Sequence, residues 1–165
     1  MKTSKKVVIL GHFGVGKSSL MRRFVEDVFV EDYIVTIGVH IMKKEIHFPD
    51  ETITLILWDV EGIDDFTKYR PSYLLGSSSF IYVFDAARAA TYKDMSYNMG
   101  HLNEKFPTVP VHVVANKMDL VEKSDLLESL NSLDIKCEYF ASAKTGDSVN
   151  DLFKAVAKNL SAHAE

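Results

Sequence analysis

The stretch Val7-Val8-Ile9-Leu10-Gly11-His12-Phe13-Gly14-Val15-Gly16-Lys17-Ser18-Ser19 constrains this chain more than any other. A short apolar run, a glycine-rich bend, then a lysine and two hydroxyls give the strand, loop and helix order of a phosphate-binding loop. Glycines let consecutive amide N–H groups turn toward one anionic oxygen, and a helix opening near Lys17 adds its positive end. Gly11, Phe13, Gly14, Val15, Gly16, Lys17, Ser18 and Ser19 are the candidate phosphate-binding set. In it Lys17 reaches the terminal phosphates and the Ser18 hydroxyl ligates Mg2+. The competing reading is a glycine turn before an ordinary surface helix, and the full G-x-x-x-x-G-K-S spacing weighs against it.

A chain of 165 residues, 47% of them hydrophobic, can bury a substantial core and is expected to form one domain over residues 1–165. The net charge of −4, with basic residues dispersed, fits an isolated nucleotide better than nucleic acid. Cys137 is the only cysteine, so neither an intrachain disulfide nor a multi-cysteine metal cluster is available. The apolar run 7–10 is too short for a signal peptide, no stretch reaches membrane-spanning length, and the last residues hold no lipidation box. These features predict a cytoplasmic protein without a direct membrane anchor in this chain. Membrane association would then run through a partner or a tail absent from this chain.

Apolar runs alternate with helical patterns along most of the chain. Strands are expected at 7–10, 39–47, 52–58, 80–84, 111–115 and 135–140, and helices at 17–26, 66–75, 91–106 and 149–160, with Ser124 capping one more that carries Leu126, Leu127 and Leu130. The short turn Pro49-Asp50-Glu51 makes the second and third strands an antiparallel pair. Strands and helices in this alternation give an α/β domain.

Four further motifs fall beside predicted strands. Asp32-Tyr33-Ile34-Val35-Thr36-Ile37-Gly38 puts a hydroxyl and a backbone amide at Thr36, an ordinary strand-start threonine unless it faces a Mg2+-phosphate site. Asp59-Val60-Glu61-Gly62 places a carboxylate at a strand end, where it can hold Mg2+ through water, and a glycine amide that can meet a phosphate. Asn116-Lys117-Met118-Asp119 follows a strand: Asp119 can accept from the N1–H and 2-amino group of guanine, a donor pair adenine lacks. Lys117 can lie over the base, and Asn116 can tie loops together. Ser142-Ala143-Lys144 can turn an amide toward the guanine O6. Each is a plausible polar turn alone; together and in this order they can surround one guanine nucleotide. Phe29 closes over the end of the first helix or packs at the edge of a base.

With these motifs in place the chain resembles a small GTPase of the Ras superfamily, most nearly its Rab branch, over residues 6–160; Tyr33-Ile34-Val35-Thr36-Ile37-Gly38-Val39 and Leu57-Trp58-Asp59 carry the branch. The resemblance implies a P-loop NTPase G domain, a six-stranded mixed sheet flanked by five helices. It implies GTP/GDP and Mg2+ as cofactors, with Ser18, Thr36 and Asp59 on the metal, and Lys17, Thr36 and Gly62 in the catalytic set. Phe29 edges the base, Tyr33 and Thr36 belong to the first switch, and Asp59 and Gly62 to the second. Asn116, Lys117, Asp119, Ser142, Ala143 and Lys144 complete the guanine site. The partners implied are an effector protein reading the switch regions, an exchange factor and an unconventional activating protein, in a role such as vesicle trafficking.

The chain departs from that pattern at three residues. Relatives usually have Asp-Thr-Ala-Gly-Gln in the second switch, and here Asp59-Val60-Glu61-Gly62-Ile63 puts an isoleucine where the water-positioning glutamine belongs. Phe13 stands where Ras has a small residue that admits an arginine finger. Glu61 brings a carboxylate near the terminal phosphate, where it can repel GTP, pair with Lys17, or, with Ile63, point outward. Two functions follow: a GTP-binding switch with weak or unconventionally activated hydrolysis, or a non-catalytic guanine-nucleotide-binding scaffold held in one state, docking through Phe13, Ile63 and Phe66.

Overall fold

The computed structural model describes residues 1–31 and 36–161. Among them six strands, β1 (Lys2–Leu10), β2 (Val39–His47), β3 (Thr52–Val60), β4 (Ser79–Asp85), β5 (Val111–Asn116) and β6 (Tyr139–Phe140), form one sheet in the order β2-β3-β1-β4-β5-β6. Five helices accompany them: α1 (Lys17–Glu26), α2 (Pro71–Leu74), α3 (Met95–Lys105), α4 (Lys123–Ser132) and α5 (Val149–Asn159). The β2–β3 hairpin is antiparallel, with His40 opposite Asp59, and every other pairing is parallel. This is the expected six-stranded mixed sheet with five helices.

The sheet is buried on both faces, and strand alternation decides which residue serves which face. Val7 and Ile9 of β1, with Ile81 and Val83 of β4, join Leu20, Met21 and Phe24 of α1 and Leu152, Phe153 and Val156 of α5. Val8 and Leu10, with Phe80, Tyr82 and Phe84, join Met95 and Leu102 of α3 and Leu126 and Leu130 of α4 on the other face. Phe24 and Phe153 stack with centroids 4.2 Å apart and planes 9° from parallel, fixing α1 against α5. From β1 the chain leads to β3 on one side and β4 on the other, so the crevice beyond the carboxyl end of β1 is a topological switch point. The loops after β1, β3, β4, β5 and β6 all open there.

Several element boundaries differ from the sequence expectation for local reasons. β1 and β3 are longer because Lys2 to Ile9 pairs continuously with Thr52 to Asp59, which places Asp59 inside a strand. Residues 66–75 are a 3-10 turn, Phe66–Lys68, and then the one-turn α2: the extended backbone of Arg70 before Pro71 interrupts the helix. Thr91 lies in a separate turn, Ala89–Thr91, its hydroxyl donating to the Arg88 carbonyl at 2.7 Å and accepting from the Asp85 amide at 2.9 Å, so α3 starts only at Met95. Ser124 does not cap α4. The helix begins one residue earlier, behind Glu122, and Ser124 lies within it. β6 is two residues long, because only Val114 and Ala115 of β5 pair with it. No described helix is long and apolar enough to cross a membrane.

Candidate guanine-nucleotide site

The phosphate loop leaves β1 at Leu10 and enters α1 at Lys17. Gly16 is the N-cap of α1 with φ +92°, a left-handed conformation, and a Cβ there would lie 2.4 Å from Nδ2 of Asn116. Only glycine lets the base loop come this close to the phosphate loop. Lys17 is the first residue of the helix and is 6% exposed. Burial pushes its ammonium below the ordinary lysine range, and the Asp59 carboxylate partly restores it. Among the described residues Lys17 has no hydrogen-bond acceptor, so a buried cation lines the cleft without a close anion.

Three oxygens converge next to it. Ser18 Oγ lies 2.7 Å from Thr36 Oγ1, and both hydroxyls donate to Oδ2 of Asp59, Thr36 at 2.9 Å. Asp59 is fully buried and, among the described residues, its Oδ1 has no partner. An all-oxygen set with an unsatisfied buried carboxylate oxygen suits a hard divalent cation. Residues 18, 36 and 59 come from a helix, a loop and a strand, which is why no contiguous metal motif announces them.

The base end is equally built. Asn116, 1% exposed at the end of β5, donates to the Val15 carbonyl at 3.0 Å and accepts from the Ala143 amide at 3.1 Å, joining the phosphate and Ser-Ala-Lys loops. Lys117, with φ +66°, sends Nζ to the Gly14 carbonyl at 2.8 Å and to Oδ2 of Asp85 at 3.0 Å. Ser142 donates to Oδ1 of Asp119 at 2.6 Å, holding a carboxylate at the lip of the cleft. Arg23 of α1 grips the same loop by donating to the Ala143 carbonyl at 2.9 Å and the Lys144 carbonyl at 2.7 Å.

These groups enclose a cleft of about 270 Å³. Phe13, Gly14, Gly16, Lys17, Ser18 and Ser19 line it from the phosphate loop, Thr36 and Gly62 from the two switches, and Asn116, Lys117, Asp119, Ala143 and Lys144 from the base loops. Phe29 lines it too and is half-buried against the core, a placement compatible with both of its expected uses. Gly11, Val15, Asp59 and Ser142 sit behind the lining: Val15 is buried in the core, and Asp59 and Ser142 act through hydroxyl and carboxylate neighbours. Tyr33 lies outside the described residues. Sequence reasoning missed Arg23 and Asp85. Asp85 is the last residue of β4, and an acidic residue after an apolar run is the one signal the sequence offers for it.

The atypical residues are placed as follows. Glu61 is exposed and makes no ion pair with Lys17 among the described residues; its amide donates to the Gly38 carbonyl at 2.9 Å, linking the two switches. Ile63 does not point outward. It packs against the core on the α3 side, and its amide donates to the Gly11 carbonyl at 3.1 Å. Phe66 is completely buried, so it contributes nothing to an apolar docking surface. Phe13 is 53% exposed. A Cβ on Gly62 would lie 2.5 Å from the Phe13 Cα, so the second switch is seated directly on the phosphate loop.

The Ras family model matches residues 6–162. The chain is 30% identical over 164 residues to the Ras-related protein Rab-22A of Homo sapiens, spanning 94% of this chain and 82% of the relative. It is 31% identical over 170 residues to the Ras-related protein RABG3e of Arabidopsis thaliana, spanning 96% and 82%. The chain therefore belongs to the Ras family, as a GTP-binding small GTPase of the Rab branch.

Proposed function

We propose that this chain is a Mg2+-dependent guanine-nucleotide switch whose hydrolysis of GTP to GDP and phosphate is weak or depends on an unconventional activating protein. The observation that carries the reading is the single cleft formed by five motifs spread from residue 11 to residue 144. Gly14, Gly16 and Lys17 hold the phosphates, Lys17 supplying the cation that developing charge requires. Ser18, Thr36 and Asp59 hold Mg2+, which when bound neutralises charge on the phosphate oxygens. Asp119 reads guanine, Lys117 and Phe29 flank the base, and Asn116, Ser142, Ala143 and Lys144 fix the loop around it. Thr36 and Gly62 couple the terminal phosphate to the two switches, which an effector reads. An exchange factor and a trafficking role follow from the Rab branch.

The inward packing of Ile63 supports the low hydrolysis rate, because no side chain at that position is available to orient a water. The same packing favours the second reading, a non-catalytic guanine-nucleotide-binding scaffold held largely in one state. Identification of the nucleotide retained on purification, followed by single-turnover conversion of loaded GTP, tests both. Guanine nucleotide with slow turnover supports the switch; GTP unchanged over long incubation supports the scaffold. ATP bound as well as GTP overturns the role of Asp119, and hydrolysis as fast as in ordinary unassisted relatives overturns the role of Ile63.

A further inference from the structure

His12 lies inside the phosphate loop, is buried, and has no part in holding nucleotide on the reading above. Its ring sits between carboxylates from two other segments. Nε2 is 3.0 Å from both Oδ1 and Oδ2 of Asp94, the N-cap of α3, and Nδ1 is 3.3 Å from Oδ1 of Asp64, two residues beyond Gly62. Among the described residues no lysine or arginine pairs with either carboxylate. Of the other charged groups on these segments, Glu61 is exposed, Asp65 accepts from its own Thr67 and has Lys68 and His101 as its nearby cations, Arg88 reaches the Phe13 carbonyl and Asp85, and Lys93 is exposed.

A neutral imidazole has one N–H to give. Spent on Asp94, it leaves a ring lone pair facing the Asp64 carboxylate; a second proton turns that contact into an attraction. Asp64 is also held within reach from behind. Asn98 of α3, with no exposed surface, donates to the Asp64 carbonyl at 3.0 Å and accepts from the Phe66 amide at 3.0 Å. A backbone fixed in this way lowers the ordering cost of a contact that is otherwise exposed.

We infer that His12 is a positioning residue: its ring, set between Asp94 and Asp64, couples the second switch to α3 across the phosphate loop. The inference rests on the proposed switch only for the importance of the segment it holds. Amide hydrogen exchange of the full chain as purified, at one pH, tests it at residues 63–68. Protection there is expected to fall about two- to fivefold when the Asp64 side chain is removed, the scale of one exposed contact. Asp64→Ala and His12→Gln are each expected to give that loss, and the double variant no more than either alone. Asp64 carries the decision because its side chain is largely exposed and its replacement spares the fold, which thermal melting checks. Unchanged protection in Asp64→Ala, or losses that add in the double variant, overturns the inference. Failure of the guanine reading shows separately, as absence of bound guanine nucleotide, and leaves this measurement intact.

Discussion

At Lys17 a cation is held almost out of water with only the Asp59 carboxylate to offset the cost. Its ammonium titrates below the value it has in the unfolded chain, so between those two values the unfolded chain binds the extra proton. Without an anion beside Lys17, stability therefore rises with pH through that alkaline window, and the full cost is present at neutral pH. Lys17→Met keeps the length and removes the charge. It is expected to raise the nucleotide-free melting temperature by about 2–4 °C for each ~1 kcal/mol relieved, to flatten the alkaline dependence, and to weaken GTP binding by about 10- to 150-fold. Thermal melts across pH and equilibrium binding check the three together. Asp119→Asn replaces an acceptor oxygen with a donor and lowers GTP affinity by at least about tenfold while leaving ATP affinity unchanged, as competition binding would show.

The second switch carries Glu61 and Ile63, two of the departures from the family pattern. Ile63 fills space between the phosphate loop and α3, and Tyr69 Oη meets the Gly11 backbone at 3.3 Å, with burial driving the phenol above its ordinary range. Ile63→Gln is expected to raise single-turnover hydrolysis if the amide leaves that apolar pocket for the cleft, at a stability cost of about 1 kcal/mol. No rise in rate assigns the block to Phe13 and the seated Gly62 instead. On the other face, Phe153→Ala deletes one ring of the Phe24–Phe153 stack and is expected to cost about 3–5 kcal/mol in denaturant titration. The helices that sequence periodicity found most cleanly, α1 and α5, are those whose apolar stripes meet one sheet face. The segment 66–75 was misread because its apolar residues fit a helix, while Pro71 and the extended Arg70 divide it.

Across the whole molecule, the order of strands brings five distant loops to one edge, and that convergence was legible because each motif followed an apolar run. The tethers behind it were not. Asn116 was expected to tie loops, but Arg23 reads in the sequence as one more exposed helical charge, and its grip on the Ala143 and Lys144 carbonyls exists only once α1 lies beside the last loop. Ligand linkage gives a test at this scale. GTP at about 100 times its Kd should add about 2.7 kcal/mol to global stability, equimolar ATP should add little, and a Mg2+ chelator should remove most of the gain in a thermal shift measurement.

Arg23 and Asn116 also set a direction for departure. The base end of the cleft is held from α1 and from β5 through three hydrogen bonds to Ala143 and Lys144, whereas the metal end includes Thr36, from a loop. On the proposed function a bound nucleotide is therefore expected to leave its phosphate contacts first and its base contacts last. Substitutions at Ser18, Thr36 or Asp59 are then expected to change the nucleotide's dissociation rate far more than its association rate, which stopped-flow release and binding of a fluorescent nucleotide would show.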